Sequence, residues 1–370
     1  ICACLVGSEM CIRDRIFVER NPNSGYNRNE LKKQEVIMKK ILLLTTGGTI
    51  SSVASGNGLI PADASSLILN VLKEEDTDIH YKNIMVLDSS NIQPEEWKII
   101  AKEAFTAMPE YDGIIITHGT DTMAYTASMM CFMIQNPSIP IVFTGSQLPI
   151  THPLTDAVLN LKSALAMAKT DHQGIFVAFD RKIILGCRAV KVRTSGFTAF
   201  ESINLKSVGH ISASGLTIRK DILTHYTKPP KLVLEIETNV FLLKLTPTTN
   251  PSIIDLLIAA GTRGIVIEAY GAGGISFIRR DFISKIKNAI DANIPVVVCS
   301  QCLYESSNFH IYEVGNKALQ SGVIEALDMT TEAAVCKLMY ALGQTHDLQK
   351  VKQIFSTPIA REIASEKTME

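Results

Sequence analysis

The feature that most constrains this chain is a rhythm. Apolar runs of four to six residues, rich in Ile and Val, alternate with longer stretches whose apolar residues recur at helical spacing. The runs at 41–44, 84–87, 113–117, 139–144 and 174–179 read as strands, and 64–72, 94–107, 122–134 and 157–168 between them read as helices. Strands without an apolar/polar alternation are covered on both faces, which points to a parallel sheet with helical crossovers. Pro94 followed by Glu95 and Glu96 suits a first helical turn. Beyond Asp180-Arg181 the pattern changes, and 182–187 reads as a strand returning sharply. Residues 217–231 are polar and contain Pro229-Pro230, so they read as a linker. The rhythm then resumes, with strands at 232–236, 264–268 and 295–299 and helices at 252–260, 281–289, 330–343 and 348–355. The expected fold is α/β in two domains, a larger one with a parallel or mixed sheet over 38–216 and a smaller one over 232–370.

Residues 1–37 break the rhythm. They hold three of the eight Cys, and Arg13, Asp14 and Arg15 interrupt any apolar run, so no signal peptide is read there. The string CLVGSEMCIRDR resembles a sequencing-adapter read-through, and residues 1–37 are expected to be a non-native or disordered extension ahead of a natural start at Met38. After Met38 the apolar run is too short for export, and no stretch reaches the roughly 18–20 apolar residues of a membrane helix. The later Cys, at 131, 187, 299, 302 and 336, are odd in number and mostly in apolar runs, so reduced thiols and a cytoplasmic setting are expected. Lys+Arg 36 against Asp+Glu 37, with 6% aromatic residues and one Trp, gives neither a basic field nor an aromatic and basic stripe. Nucleic acid and membrane are therefore not expected as partners.

In an open parallel sheet, ligands bind beyond the carboxyl ends of the strands. The first such end reads Thr45-Thr46-Gly47-Gly48-Thr49, where two glycines permit a tight turn and expose N–H groups to an anion or oxyanion. It is neither a P-loop nor a dinucleotide fingerprint, and alone it reads as a plain turn. The second is Asp88-Ser89-Ser90-Asn91, suited to a small zwitterion or equally to capping before Pro94. The third is His118-Gly119-Thr120-Asp121-Thr122, where a hydroxyl beside a carboxylate can orient a water or a nucleophile. Its plain readings are a helix cap at Asp121 or Thr122 and a buried structural imidazole at His118. Cys299 and Cys302 have CxxC spacing without a second pair or His ligands, so no metal is expected.

TTGGT at 45–49 and HGTDTM at 118–123, each after an apolar strand, together resemble the bacterial asparaginase family, specifically its cytoplasmic type I L-asparaginases. The resemblance runs from about residue 38 to the C-terminus through DSSNIQPEEW, PIVFTGSQLPI, AFESIN and EAYGAGG. It implies a smaller C-terminal domain that is flavodoxin-like, no cofactor, and hydrolysis of the side-chain amide of L-asparagine to L-aspartate and ammonia. It also implies roles: Thr49 as nucleophile, Thr120 with Asp121 and Lys191 as a proton-moving triad, and peptide N–H groups near Gly119 and Thr120 for the oxyanion. Asp88, Ser89, Ser90 and Asp121 match the positions that hold the substrate's amine and carboxylate, with Gly48 and Gly119 lining the pocket. Family members are dimers or tetramers, so a homodimer or homotetramer is implied. One departure stands out: Leu59 occupies the place of a lid Tyr that polarises the first threonine in many members, and Tyr312 matches a position that some Tyr-less relatives use. Two other readings fit the same motifs, an impaired asparagine-binding sensor and the ammonia-generating subunit of a tRNA amidotransferase.

Overall fold

The structure is a computed structural model that describes residues 38–364 except 56, 57, 62, 63 and 312. The expectations for residues 1–37 and for Tyr312 lie outside the described residues. Eight strands form the larger sheet: β1 Lys39–Gly47, β2 Thr77–Leu87, β3 Gly113–Thr117, β4 Pro140–Thr144, β5 Gly174–Phe179, β6 Lys182–Leu185, β7 Gly209–Ser212 and β8 Gly215–Ile218. Their order is β8-β7-β6-β5-β4-β3-β1-β2. Pairing is parallel from β2 through β5 and antiparallel from β5 to β8. Every residue of β3, β4 and β5 is buried, because helices cover both faces.

Those helices are α1 Ser65–Leu72, α2 Pro94–Ala107, α3 Met123–Met133 and α4 Ala157–Ala168. All of α3 except Tyr125 is buried. A helix apolar on every side belongs between two layers rather than on a surface, and α3 lies between the larger sheet and a helix of the C-terminal half.

The smaller sheet is wholly parallel: β9 Val240–Lys244, β10 Gly264–Ala269, β11 Val296–Ser300 and β12 Ile324–Glu325, in sequential order. Crossovers of one hand in sequential order put their helices on one face. These are α5 Ser252–Ala259, α6 Phe282–Asp291 and α7 Glu313–Ser321, while α8 Thr331–Gln344 takes the opposite face and packs on α3. The period-two alternation of a strand divides the side chains between two cores. Ile265, Ile267, Val296 and Val298 pack with Phe282 and Ile286. Val266, Val297 and Cys299 join α8 and the core of the larger sheet, so the two halves share one core.

The sequence expectation differs from the structure in specific places. Of 232–236, only Leu232 is in a ladder, in the pair Lys231–Leu232 with Ile134–Gln135. The Val233 N–H then reaches the Met133 carbonyl and the Glu237 N–H reaches that of Met339, so this segment runs along α3 and α8 instead of joining a sheet. The strand that does begin the smaller sheet is β9, whose run Val240-Phe241-Leu242-Leu243 is not among the expected strands. The end of the larger sheet extends into the expected linker, with β8 running to Ile218.

Two ion pairs sealed from solvent tie down the segment after α9 Leu348–Ser356. Lys337 Nζ lies 2.5 Å from Glu362 and donates to the Thr357 carbonyl at 2.8 Å, while Glu362 accepts the N–H groups of Ile359 and Ala360. Burial pushes the Lys337 pKa down, and Glu362 opposes that shift. Arg188 donates to the carbonyls of Arg361 and Asp328 at 2.8 Å each, and its guanidinium lies 2.9 Å from the Asp328 carboxylate. Removing one member of a buried pair strands the other charge. Glu362→Gln is expected to lower unfolding free energy in urea by about 3–5 kcal/mol, with the double change Lys337→Met/Glu362→Leu recovering most of the loss. Equal losses in both variants would show that the pair itself is not what matters.

Candidate active site at the ends of three strands

The order β3-β1-β2 reverses the winding between β1 and β3, so a crevice opens beyond their carboxyl ends. The loops that line it touch through glycines. Gly47 and Gly48 have φ of +102° and +81°, a region L side chains rarely adopt. A Cβ on Gly48 would lie 2.4 Å from the Gly119 nitrogen, and a Cβ on Gly119 would lie 2.5 Å from Ser89 Oγ. The ends of β1, β2 and β3 are therefore in contact. Thr46 Oγ1 adds a bond to the Thr117 carbonyl at 2.9 Å. The Gly48 carbonyl accepts from the hydroxyls of Ser51 and Ser52, which orients the peptide leading into half-buried Thr49.

At the second strand end, Asp88 caps a short 3-10 turn over Ser89–Asn91, accepting from Ser90 N at 2.8 Å and Ser90 Oγ at 2.6 Å. Those bonds, the hydroxyl's first, hold the Asp88 pKa below its ordinary value. Ser89 is buried; its Oγ accepts from Asp121 N at 3.3 Å and its carbonyl from Thr122 Oγ1 at 2.7 Å. Thr122 is the residue before α3, yet its hydroxyl bonds Ser89 and makes no cap. The plain capping account of Asp121 and Thr122 therefore fails.

Asp121 faces Lys191 instead. Lys191 ends the short strand Ala189–Lys191, paired antiparallel with Phe200–Ser202. Its Nζ donates to Asp121 Oδ1 at 2.5 Å and to Thr120 Oγ1 at 2.8 Å. Thr120 is buried and Lys191 largely so, whereas the Asp121 side chain is 63% exposed. The trio therefore sits at the rim of the crevice with its hydroxyl inside. Arg188, three residues before Lys191, is anchored by the sealed pair with Asp328.

One residue of the network was not anticipated. Gln147, in the loop after β4, accepts from Thr120 Oγ1 at 3.2 Å and donates to the carbonyls of Thr194 and Gly196. It thus ties Thr120 to the loop that follows Lys191. Asp156 fixes Gln147 by accepting its backbone N–H at 3.0 Å, together with that of Leu148 and an amide hydrogen of Asn160. The signal was present: Gly145-Ser146-Gln147 follows an apolar strand just as the other three polar strand ends do.

His118 is fully buried, as its structural reading expected, and its Nδ1 lies 2.7 Å from the Gly119 carbonyl. A carbonyl only accepts, so Nδ1 carries the proton and Nε2 is left without a partner among the described residues. Holding that oxygen also orients the planar Gly119–Thr120 peptide. Cys299 is buried, its thiol pushed up to about 12 by burial, and Cys302 is exposed. Among the described residues no group of three or more His, Cys, Asp or Glu could hold a metal, and no helix is long and apolar enough to cross a membrane. Leu59 pairs with Ala54 in the hairpin Ser52–Ser55/Gly58–Pro61 after the first motif.

Fold and site together define a class: a two-domain α/β protein with hydroxyls, a carboxylate and an amine gathered where strand ends converge. Comparison with known proteins carries this further. The model of the asparaginase N-terminal domain matches residues 40–224, and that of the glutaminase/asparaginase C-terminal domain matches 239–355. The chain belongs to the asparaginase/glutaminase family. It is 43% identical to an L-asparaginase of Thermococcus kodakarensis over 88% of this chain and 99% of that protein. It is 37% identical to a glutamyl-tRNA(Gln) amidotransferase subunit of Methanosphaera stadtmanae, over 88% of this chain and 77% of that protein. Among solved structures it resembles the thermostable L-asparaginase of Thermococcus kodakarensis, with a TM-score of 0.84 over 88% of this chain and all of that one, at 42% identity. L-asparaginase I of Vibrio cholerae gives 0.79 at 26% identity, over 89% of this chain and all of that one. Relatives of both archaeal and bacterial origin stand among these, so the narrower bacterial label is not carried by them.

Burial lowers the His118 pKa from 6.5 to about 4. Unfolding takes up a proton between those values, so this contribution to stability is complete above pH 6.5 and is lost as pH falls toward 4, by about 3 kcal/mol in all. His118→Phe is expected to flatten the fall in urea midpoint between pH 7 and 4.5 relative to wild type. An unchanged fall would mean that His118 does not titrate this way.

Proposed function

We propose that this protein is an L-asparaginase, hydrolysing the side-chain amide of L-asparagine to L-aspartate and ammonia. The observation that carries the reading is the bonding of Lys191 to both Thr120 and Asp121 at the crevice that Gly48 and Gly119 form. In this reading the Thr49 hydroxyl attacks the amide carbon, ammonia leaves, and water hydrolyses the resulting ester. A neutral hydroxyl is a weak nucleophile and needs neighbours that move its proton. Thr120, polarised by Lys191, supplies that path, and Asp121 holds the lysine in place. Peptide N–H groups at Gly119 and Thr120 receive the oxyanion, and the His118 bond to the Gly119 carbonyl supports their orientation. Asp88, Ser89, Ser90 and Asp121 receive the substrate's amine and carboxylate, and no cofactor takes part.

The near-complete match to an L-asparaginase favours this reading over the amidotransferase subunit, of which 77% is matched. A Campylobacter jejuni L-asparaginase described as cytoplasmic is similar in structure, with a TM-score of 0.74 at 27% identity over 86% of this chain and all of that one. That supports placing this enzyme among the cytoplasmic type I members; a homodimer or homotetramer is proposed on the family resemblance alone.

Thr49→Ala and Thr120→Ala are each expected to remove nearly all ammonia release from L-asparagine, at least 1000-fold in kcat, and Lys191→Met at least 100-fold. Substantial turnover in both threonine variants would defeat the mechanism. Wild-type protein that binds L-asparagine without releasing ammonia would establish the sensor reading instead. Tyr312→Phe is expected to lower kcat about tenfold with binding little changed; an unchanged rate would remove Tyr312 from the catalytic set.

A further inference from the structure

Thr120 carries one hydroxyl hydrogen, and its neighbours decide where that hydrogen goes. Lys191 Nζ lies 2.8 Å from Thr120 Oγ1 and 2.5 Å from Asp121 Oδ1. A lysine ammonium has three donors and no acceptor. Thr120 therefore accepts from Lys191 and must send its own hydrogen elsewhere. The acceptor in reach among the described residues is Gln147 Oε1, at 3.2 Å.

A glutamine side chain can present either its oxygen or its nitrogen, and here the far side of the amide settles which. Gln147 Nε2 lies 3.0 Å from the Thr194 carbonyl oxygen and 3.2 Å from that of Gly196. Carbonyls only accept, so the nitrogen faces them and the oxygen is left for Thr120. Turning the amide over would set its oxygen against two carbonyl oxygens.

The amide is anchored from both directions. Asp156 accepts Gln147 N through both carboxylate oxygens at 3.0 Å, and it also holds Leu148 N and the Asn160 amide. Across the crevice rim, Val192 N donates to the Ala199 carbonyl at 2.8 Å. Arg193 Nη1 donates to the Thr198 carbonyl at 2.7 Å and to Glu201 at 2.8 Å. Those bonds close the loop 193–198, whose carbonyls receive Gln147, and Glu201 in turn accepts from the Tyr304 hydroxyl.

A hydroxyl oxygen has one hydrogen and two lone pairs. At Thr120 the hydrogen goes to Gln147 and one lone pair to Lys191, which leaves a single lone pair. The hydroxyl therefore offers the crevice an acceptor and no donor. At 3.2 Å the bond to Gln147 is the weaker of the two, so it depends on the amide staying where its anchors put it.

We infer that Gln147 determines specificity: by fixing the polarity of Thr120 it makes the site take the amide of L-asparagine and reject the carboxylate of L-aspartate. The inference rests on the asparaginase reading above and deepens it. An amide nitrogen brings hydrogens to the remaining lone pair, whereas a carboxylate brings only oxygens. Two acceptors held face to face are both left without a bond, and a site built for one polarity discriminates against an analogue of the other. Substrate and product have nearly the same shape here, so shape does not separate them. The charge of Lys191 would draw a carboxylate, but it is already paired with Asp121. Gln147 itself does not touch the ligand in this account; it is a positioning residue that acts through Thr120.

The test uses the full chain with Thr49→Ala, which removes turnover, and titration calorimetry with L-asparagine and L-aspartate at pH 8. Asparagine is expected to bind about tenfold tighter than aspartate, or more. Adding Gln147→Leu releases the Thr120 hydrogen to point at the ligand and is expected to shrink that ratio about fivefold, mainly by tightening aspartate. In the chain with Thr49 intact, Gln147→Leu is expected to lower the aspartate inhibition constant relative to KM for asparagine by a similar factor. Should Gln147→Leu fail to fold, Gln147→Met is read in the same way. Arg193→Leu, which loosens the carbonyls that hold the amide, is expected to move the ratio in the same direction by about twofold. A glutamine that only supports the loop would weaken both ligands together. A ratio unchanged by Gln147→Leu or Gln147→Met therefore overturns the inference and leaves the asparaginase reading intact. Wild-type protein that releases no ammonia, with no asparagine bound by Thr49→Ala, defeats that reading and this inference with it.

Discussion

The backbone-to-backbone approach of Gly48 and Gly119 sets the spacing of the loops after β1 and β3, and the rest of the crevice is arranged around it. A single methyl group on Gly48 would fall 2.4 Å from the Gly119 nitrogen, far inside van der Waals contact. Because strand order reverses between β1 and β3, these loops meet where the winding of the parallel sheet opens a cleft. Ser89 then fits beneath Gly119 and binds Asp121 N and Thr122 Oγ1, locking the third strand end to the second. Thr49 and Thr120, each one residue beyond a contact glycine, inherit their positions from this packing.

The other half of the site arrives from farther away. Lys191 is delivered by a three-residue strand that would be weak alone. Immediately before it, Arg188 is sealed against Asp328 and the Arg361 carbonyl, and Lys337 with Glu362 fastens the same C-terminal segment. Buried ion pairs add little net stability compared with an apolar core, but they penalise any arrangement that separates their members. Here that penalty falls on moving the C-terminal segment away from the strand that carries Lys191. The shared core formed by Val266, Val297, α3 and α8 makes the same demand through packing.

Much of this was legible in the sequence, and the reasons are physical. Wholly buried strands such as β3, β4 and β5 have no polar positions, so their apolar runs stand out. The three polar strand ends stood out because each follows such a run. What escaped detection depends on contacts distant in sequence. The segment at 232–236 looks like a strand because its apolar residues are buried, yet it packs along α3 and α8. The role of Gln147 depends on Thr120, Thr194 and Gly196 coming together. Sealed charges such as Arg188 and Lys337 look in sequence like surface residues, since most lysines and arginines are. The triad partners 120, 121 and 191 came from family resemblance, and the structure brings all three within hydrogen-bond reach.

The central claim is that the crevice between β1 and β3 holds a small zwitterion with its side-chain amide between two threonines. The most direct measurement is a crystal structure of Thr49→Ala soaked with L-asparagine. The predicted result places the ligand's amine and carboxylate against Asp121 and the 88–90 turn, with its amide carbon facing Thr120 Oγ1 and the vacated position 49. Asparagine bound elsewhere, or bound here with its amide turned away from both positions, would contradict the account.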